Sequence, residues 1–194
     1  VGVGKSVILL VALLAALTGP VRAREPDVPP SQAAFRAALT KYYEKCETET
    51  EQERFGELQR ARAAVLAQSL DEGLTFDGWL LELKGIAPTP RGGYFVRFID
   101  PALADLRAVR PTYWNGGPGK IGRETAILRG TELHDILRSM RPSMQAVVSG
   151  RFFPDEDGGP LFEASKTTFR ANEAEKAKFR APYFSVRFTR IEPR

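Results

Sequence analysis

The sequence predicts an α+β fold in which a helical segment comes first and a small antiparallel β-barrel follows. Two observations carry this. Apolar residues recur at helical spacing between Phe35 and Ser69, and after Asp71-Glu72-Gly73 they alternate at the period of a strand, with β-branched and aromatic residues taking over. The composition agrees, because 43% hydrophobic and 27% charged residues over 194 positions excludes both a disordered chain and a polytopic membrane protein.

Residues 1–23 carry a basic start at Lys5, an apolar run from Val7 to Leu17, the helix-breaking pair Gly19-Pro20 and the closing Val21-Arg22-Ala23. The run is well short of the roughly 20 residues that cross a bilayer as a helix. This is the layout of an export signal. Cleavage is expected after Ala23, leaving a periplasmic or secreted chain without stable membrane insertion. Cys46 lies too far downstream to carry a lipid anchor. Gly4-Lys5-Ser6 matches the end of a phosphate-loop pattern, but an unbroken apolar run follows it, so it belongs to the basic start. The formal charge is +4, and removing residues 1–23 takes away Lys5 and Arg22 and no acid, leaving +2. A nearly neutral mature chain gives no electrostatic signature of a nucleic-acid partner.

Residues 24–31 are a polar, proline-rich linker, and Ser31 is positioned to cap the helix after it. Residues 32–70 form the helical segment. Phe35, Ala38, Leu39, Tyr42 and Cys46 make one apolar stripe, and Phe55, Leu58, Arg62, Val65, Leu66 and Ser69 make a second. On a straight helix the second stripe would lie about 200° round from the first. Either the chain turns back within residues 48–52 as a hairpin or one long helix joins two partners, and the polar break favours the hairpin.

Residues 71–194 are expected to form the barrel, with strands at 74–86, 93–99, 124–129, 144–153, 160–168 and 183–191. The last is the clearest, with Phe184, Val186 and Phe188 on one face and Tyr183, Ser185, Arg187 and Thr189 on the other. Leu133, Ile136, Leu137 and Met140 form a short helical stripe behind Gly130-Thr131, between the third and fourth strands. Three strands, a helix and further strands is the element order of the OB fold, a five-stranded Greek-key barrel; the extra final strand is a sixth or an extension. Residues 88–93, 115–122 and 155–159 are the turn-rich joints.

Gly78-Trp79, the run Val147-Val148-Ser149-Gly150-Arg151-Phe152 and the closing residues 181–191 resemble a set of uncharacterised bacterial proteins with an exported or membrane-tethered start, a helix and an OB-like barrel. The resemblance covers about residues 31–193. The strand opening departs from that group, with Leu80 where a small residue is common. The resemblance implies no activity, cofactor or catalytic residue.

One histidine and one cysteine exclude an intrachain disulfide, a CxxC pair, a cysteine zinc site and any site needing two imidazoles. No cofactor or metal is expected. His134 has no nucleophile motif to serve and is expected to be a partly exposed helix residue, and Cys46 a buried stripe residue. Asp155-Glu156-Asp157-Gly158-Gly159 lacks the calcium-loop spacing and is expected to be a hairpin turn.

The candidate binding residues are Tyr113, Trp114 and Lys120, on a loop that combines two amphipathic aromatics with a flexible glycine run and a cation, and Arg97 and Arg187 in strands. The expected function is a non-catalytic binding or interaction module of the bacterial envelope, with an envelope protein or glycan as partner. A carboxylate-dependent envelope hydrolase is the alternative, since Glu82, Asp100, Glu124 and Glu163 lie on or beside strands. Single-stranded nucleic-acid binding is the third reading and requires a non-exported chain.

Overall fold

Helix α1 spans Pro30–Thr48 and α2 spans Gln52–Gln68. The computed structural model describes residues 28–104, 109–117, 119–155, 159–164 and 172–194; the expected export signal and residues 24–27 of the linker lie outside them. Ser31 is not the cap of α1. The helix begins at Pro30, two residues before the expected start, with proline in its first turn, where a missing N–H leaves no bond unmade. The Ser31 hydroxyl instead accepts a bond from the Trp79 indole at 3.1 Å.

The chain leaves helical geometry at Glu49, whose carboxylate accepts the N–H groups of Thr50 and Glu51, each at 2.9 Å. The bond from Glu51 above all lowers the Glu49 pKa from the ordinary carboxylate value; burial opposes this, and the Thr50 bond and the Arg54 charge add to the lowering. Phe35 and Leu39 then share a core with Ala63 and Leu66, while Tyr42 and Cys46 share one with Phe55. The start of α1 therefore lies beside the end of α2, an antiparallel hairpin. Reversal of the chain lets two stripes that a straight helix would set on opposite sides both face inward.

Five strands follow: β1 Thr75–Pro88, β2 Tyr94–Ile99, β3 Thr112–Trp114, β4 Gln145–Phe152 and β5 Tyr183–Pro193. They close into a barrel in the order β1-β2-β3-β5-β4. Every neighbouring pair is antiparallel except β3 and β5, which run parallel. The short helices are α3 Pro101–Ala104, α4 Gly119–Thr125, α5 Glu132–Ser139 and α6 Asn172–Arg180.

Three expectations are corrected. The third strand is Thr112–Trp114, not residues 124–129, of which Ile127 alone bridges to Tyr94. Two helices, α4 and α5, separate β3 from β4 where one was expected. Residues 160–164 form no strand and pair with the sheet through a single bridge, Glu163 to Phe184; residues 165–168 lie outside the described part. The final strand is accordingly the fifth.

Gly78, at φ +69°, sits where the β1–β4 register shifts between Phe76 and Trp79. That left-handed conformation is open to glycine at no steric cost. The inserted residue changes the phase of β1, so Phe76 and Trp79 both point inward although three positions separate them. Their rings meet at 4.6 Å. Phe35 enters the same interior from α1, with its ring 5.1 Å from Trp79, 5.4 Å from Phe152 and 5.5 Å from Phe184.

Two buried side-chain amides finish the sheet where strands stop. The Gln32 amide accepts the Leu80 N–H and donates to the Leu80 carbonyl, both at 2.9 Å. β1 pairs with β2 only from Glu82, opposite Ile99, onward, so Gln32 takes the place opposite Leu80 that a strand residue two beyond Ile99 would fill. Asn115, just past β3, accepts the Val96 N–H at 2.6 Å and donates to the Tyr94 and Thr125 carbonyls. Such pairing satisfies main-chain groups whose burial would otherwise be costly.

Candidate functional site

Strand alternation decides which candidate residues reach solvent. On β3, Tyr113 points into the barrel and Trp114 out of it. On β2, Val96 and Phe98 point in while Arg97 is exposed. Arg97 is the register partner of Trp114, and Trp114 that of Ser185 on β5. The Phe95 ring stands edge-on to the Trp114 indole, with centroids 6.1 Å apart. Two residues beyond Ser185, Arg187 is exposed on the same outward face; it lies 3.5 Å from Glu124, with its guanidinium 5.9 Å from the Phe153 ring.

Gly116 and Gly117, after Trp114, and Gly122 in α4 serve close packing. A Cβ at Gly116 would overlap the Trp114 indole, and one at Gly122 would press on the Gly117 carbonyl. Absence of side chains lets α4 fold back against β3 and β5, and the Ser185 hydroxyl donates to the Gly116 carbonyl at 3.0 Å. The Thr125 hydroxyl donates to the Asn115 and Ile121 carbonyls, pinning the far end of α4. Lys120 belongs to α4, but its side chain lies outside the described residues.

Tyr113 is fully buried and so withdrawn from any ligand on this surface. Its hydroxyl has no hydrogen-bond partner among the described residues. Burial pushes the phenol well above its ordinary range, the Asp100 charge adding to the effect and Arg36 opposing it. Replacing Tyr113 with Phe removes an unpaired buried polar group and is expected to stabilise by about 1 kcal/mol. Above pH about 10 an unfolded tyrosine loses its proton while the folded one keeps it, so the folded state binds more protons and its stability falls as pH rises. Urea titrations of both proteins at pH 7 and 10.5 check this, the advantage of Tyr113→Phe being larger at the higher pH.

Beside Phe95 the surface opens into a cleft of about 180 Å³. Its walls are Thr89, Pro90 and Arg91 from the β1–β2 turn, Gly122 and Arg123 from α4, and Ala126 and Leu128 from the following segment. That segment is tied to β2 by reciprocal bonds between Tyr94 and Ile127, of 2.8 and 3.0 Å. Alternation about this pair buries Ile127 and presents Leu128, which is 55% exposed. Arg91, Arg97 and Arg123 form no ion pair with a carboxylate among the described residues. The sequence offered the arginines but no signal for the cleft, because its walls come from three separated stretches.

Three of the four acids of the hydrolase alternative are engaged with separate arginines: Asp100 with Arg36 at 2.6 Å, Glu163 with Arg62 at 2.5 Å and Glu124 with Arg187. Asp100 also accepts from Gln32 and from the Ala102 N–H, which docks α1 and starts α3. Glu82 is half-buried on β1. His134, expected to be partly exposed, is buried: α5 packs against β5 and its His134 ring stacks on Tyr94 of β2 at 4.7 Å and 9°. Cys46 is buried with Tyr42, Phe55 and Phe179. The Asp155 N–H donates to the Gly159 carbonyl at 3.0 Å; residues 156–158, on which the expected hairpin turn falls, lie outside the described part. Among the described residues no three His, Cys, Asp or Glu side chains gather as metal ligands. No protein-family model, curated protein or solved structure matches the chain.

Proposed function

We propose that the protein is a non-catalytic binding module of the bacterial envelope, built on an OB-like barrel, whose ligand lies on the outer face of β2 and β3. The strand order β1-β2-β3-β5-β4, with its one parallel pair, supports the OB-like reading, as does the helix α5 between β3 and β4. The export layout of residues 1–23 supports the envelope. One observation carries the binding face: Phe95 and Trp114 stand outward in edge contact beside Arg91, Arg97 and Arg123, which have no acid partner among the described residues. The barrel interior is filled by aromatic rings, so a ligand is received on the surface.

Tryptophan fluorescence tests this, since Trp79 is fully buried and Trp114 is the outward indole. With Trp79→Phe as the single-reporter protein, binding from fractionated envelope proteins or anionic glycans quenches or shifts Trp114 emission. Trp114→Ala weakens the same binding about tenfold or more, the loss of one stacked aromatic contact. Ligands that bind equally well to Trp114→Ala would remove this face from the reading.

The same arginines and rings favour a second reading, single-stranded nucleic acid. Its mark is affinity that falls steeply with salt through counterion release, together with dependence on Trp114.

A further inference from the structure

We propose that the cleft between the β1–β2 turn, α4 and the segment around Ile127 receives an acidic peptide segment of a protein partner, with one apolar side chain in the cleft and carboxylates on Arg91 and Arg123. The assignment rests on the reading of the β2–β3 face as the binding surface and names what binds there.

Three features of the cleft carry it. The first is its lining: Pro90, Ala126 and Leu128 are aliphatic and Phe95 is its one aromatic ring, so it offers an apolar hole instead of a row of stacking faces. A single-stranded nucleic acid uses successive aromatic platforms along a groove. At about 180 Å³ the hole is on the scale of one large side chain. The second is Leu128 itself. Among the described residues it and Tyr183 are the exposed large apolar side chains, and Leu128 is the more exposed at 55%. The Tyr94–Ile127 bonds on either side of Ile127 hold it there, so its exposure is a fixed property of the backbone. An apolar side chain kept in water at a concave site gains free energy when another apolar group covers it.

The third is charge. Arg91 and Arg123 stand on opposite sources of the lining, one from a turn and one from a helix, and neither forms an ion pair with a carboxylate among the described residues. Two cations about an apolar hole complement an apolar residue with acids near it. In an extended peptide, side chains two positions apart share a face. The matching pattern is therefore an apolar residue with acidic residues two positions before and after it. Guanidinium groups suit this task because they hold carboxylates through paired N–H donors.

The test is fluorescence anisotropy of labelled nonapeptides against the whole protein. One peptide has a central leucine with glutamates two positions to each side, a second has lysines in place of the glutamates, a third has alanine in place of the leucine, and a labelled oligothymidylate is run beside them. The glutamate-leucine peptide is expected to bind, and the lysine version not to. Substituting the central leucine weakens binding about tenfold, the worth of one buried aliphatic side chain. Arg91→Glu and Arg123→Glu together weaken it at least about tenfold through loss and reversal of both charges. Ala126→Trp, which fills the cleft, does the same without altering charge, and Arg141→Glu, at an exposed position outside the cleft, has no effect. Unchanged thermal unfolding of each variant confirms its fold.

An acidic peptide no tighter than its lysine counterpart overturns the proposal, as does binding indifferent to both arginine reversals and to Ala126→Trp. Oligothymidylate binding that needs Trp114, with no peptide binding, overturns the peptide assignment and leaves the binding face standing. Failure of peptides, oligonucleotide and envelope fractions alike removes both.

Discussion

Phe35→Ala is expected to cost about 3–5 kcal/mol of folding stability, the range found when a large aromatic is removed from a packed core. Phe35 is fully buried although it belongs to the N-terminal helix and not to the barrel. Its ring meets Trp79, Phe152 and Phe184 within 5.5 Å and Tyr113 at 6.3 Å. Alanine there leaves a cavity that the rigid barrel wall cannot close, so both transfer and cavity contributions are lost. Urea midpoints read the effect, with Lys41→Ala on the exposed side of α1 as a control expected within about 0.5 kcal/mol of the parent. A cost below about 1 kcal/mol would mean that α1 unfolds separately from the barrel, and the two would then give separate transitions.

Glu163→Ala is expected to cost a comparable amount, about 3–5 kcal/mol, because it strands a buried cation. Arg62 is 1% exposed on α2, with one nitrogen 2.5 Å from the Glu163 carboxylate. Its other two nitrogens have no hydrogen-bond partner among the described residues. The guanidinium carbon lies over the Phe179 ring, 4.2 Å from its centre, and the ring's negative face offsets part of the charge. Without Glu163 that ring alone is too weak a partner. Joint replacement by Arg62→Met and Glu163→Met should recover most of the loss, since an apolar pair of similar volume has no charge to desolvate. A double variant as unstable as Glu163→Ala would show that shape, not charge, holds this contact.

Much of this architecture was written in local pattern. The stripe from Phe35 to Cys46 and the alternation from Phe184 to Phe188 marked α1 and β5 directly, because each repeats its period several times. β3 escaped because three residues are too few to display alternation. α4 escaped because Gly119 and Gly122 interrupt a helical pattern; Gly122 is tolerated there for its close approach to the Gly117 backbone. The candidate site was half legible. Trp114 and Arg97 are neighbours across two strands, whereas Tyr113 belongs to the core, a distinction that needs the strand to be recognised first. The cleft, Asn115 and Leu128 depend on contacts between distant stretches, which no window of sequence contains.

The Gln32 amide also has a mechanical meaning. Tension applied at Pro29 would reach the barrel within three residues, through the Ser31–Trp79 and Gln32–Leu80 hydrogen bonds, and pass into β1 and then β4. The rest of the α1–α2 hairpin lies outside that load path. Pulling from this end therefore strains a sheet held by many antiparallel ladder bonds that share the load while the helices stay slack, so the protein resists traction as a barrel instead of unzipping as a helical tail.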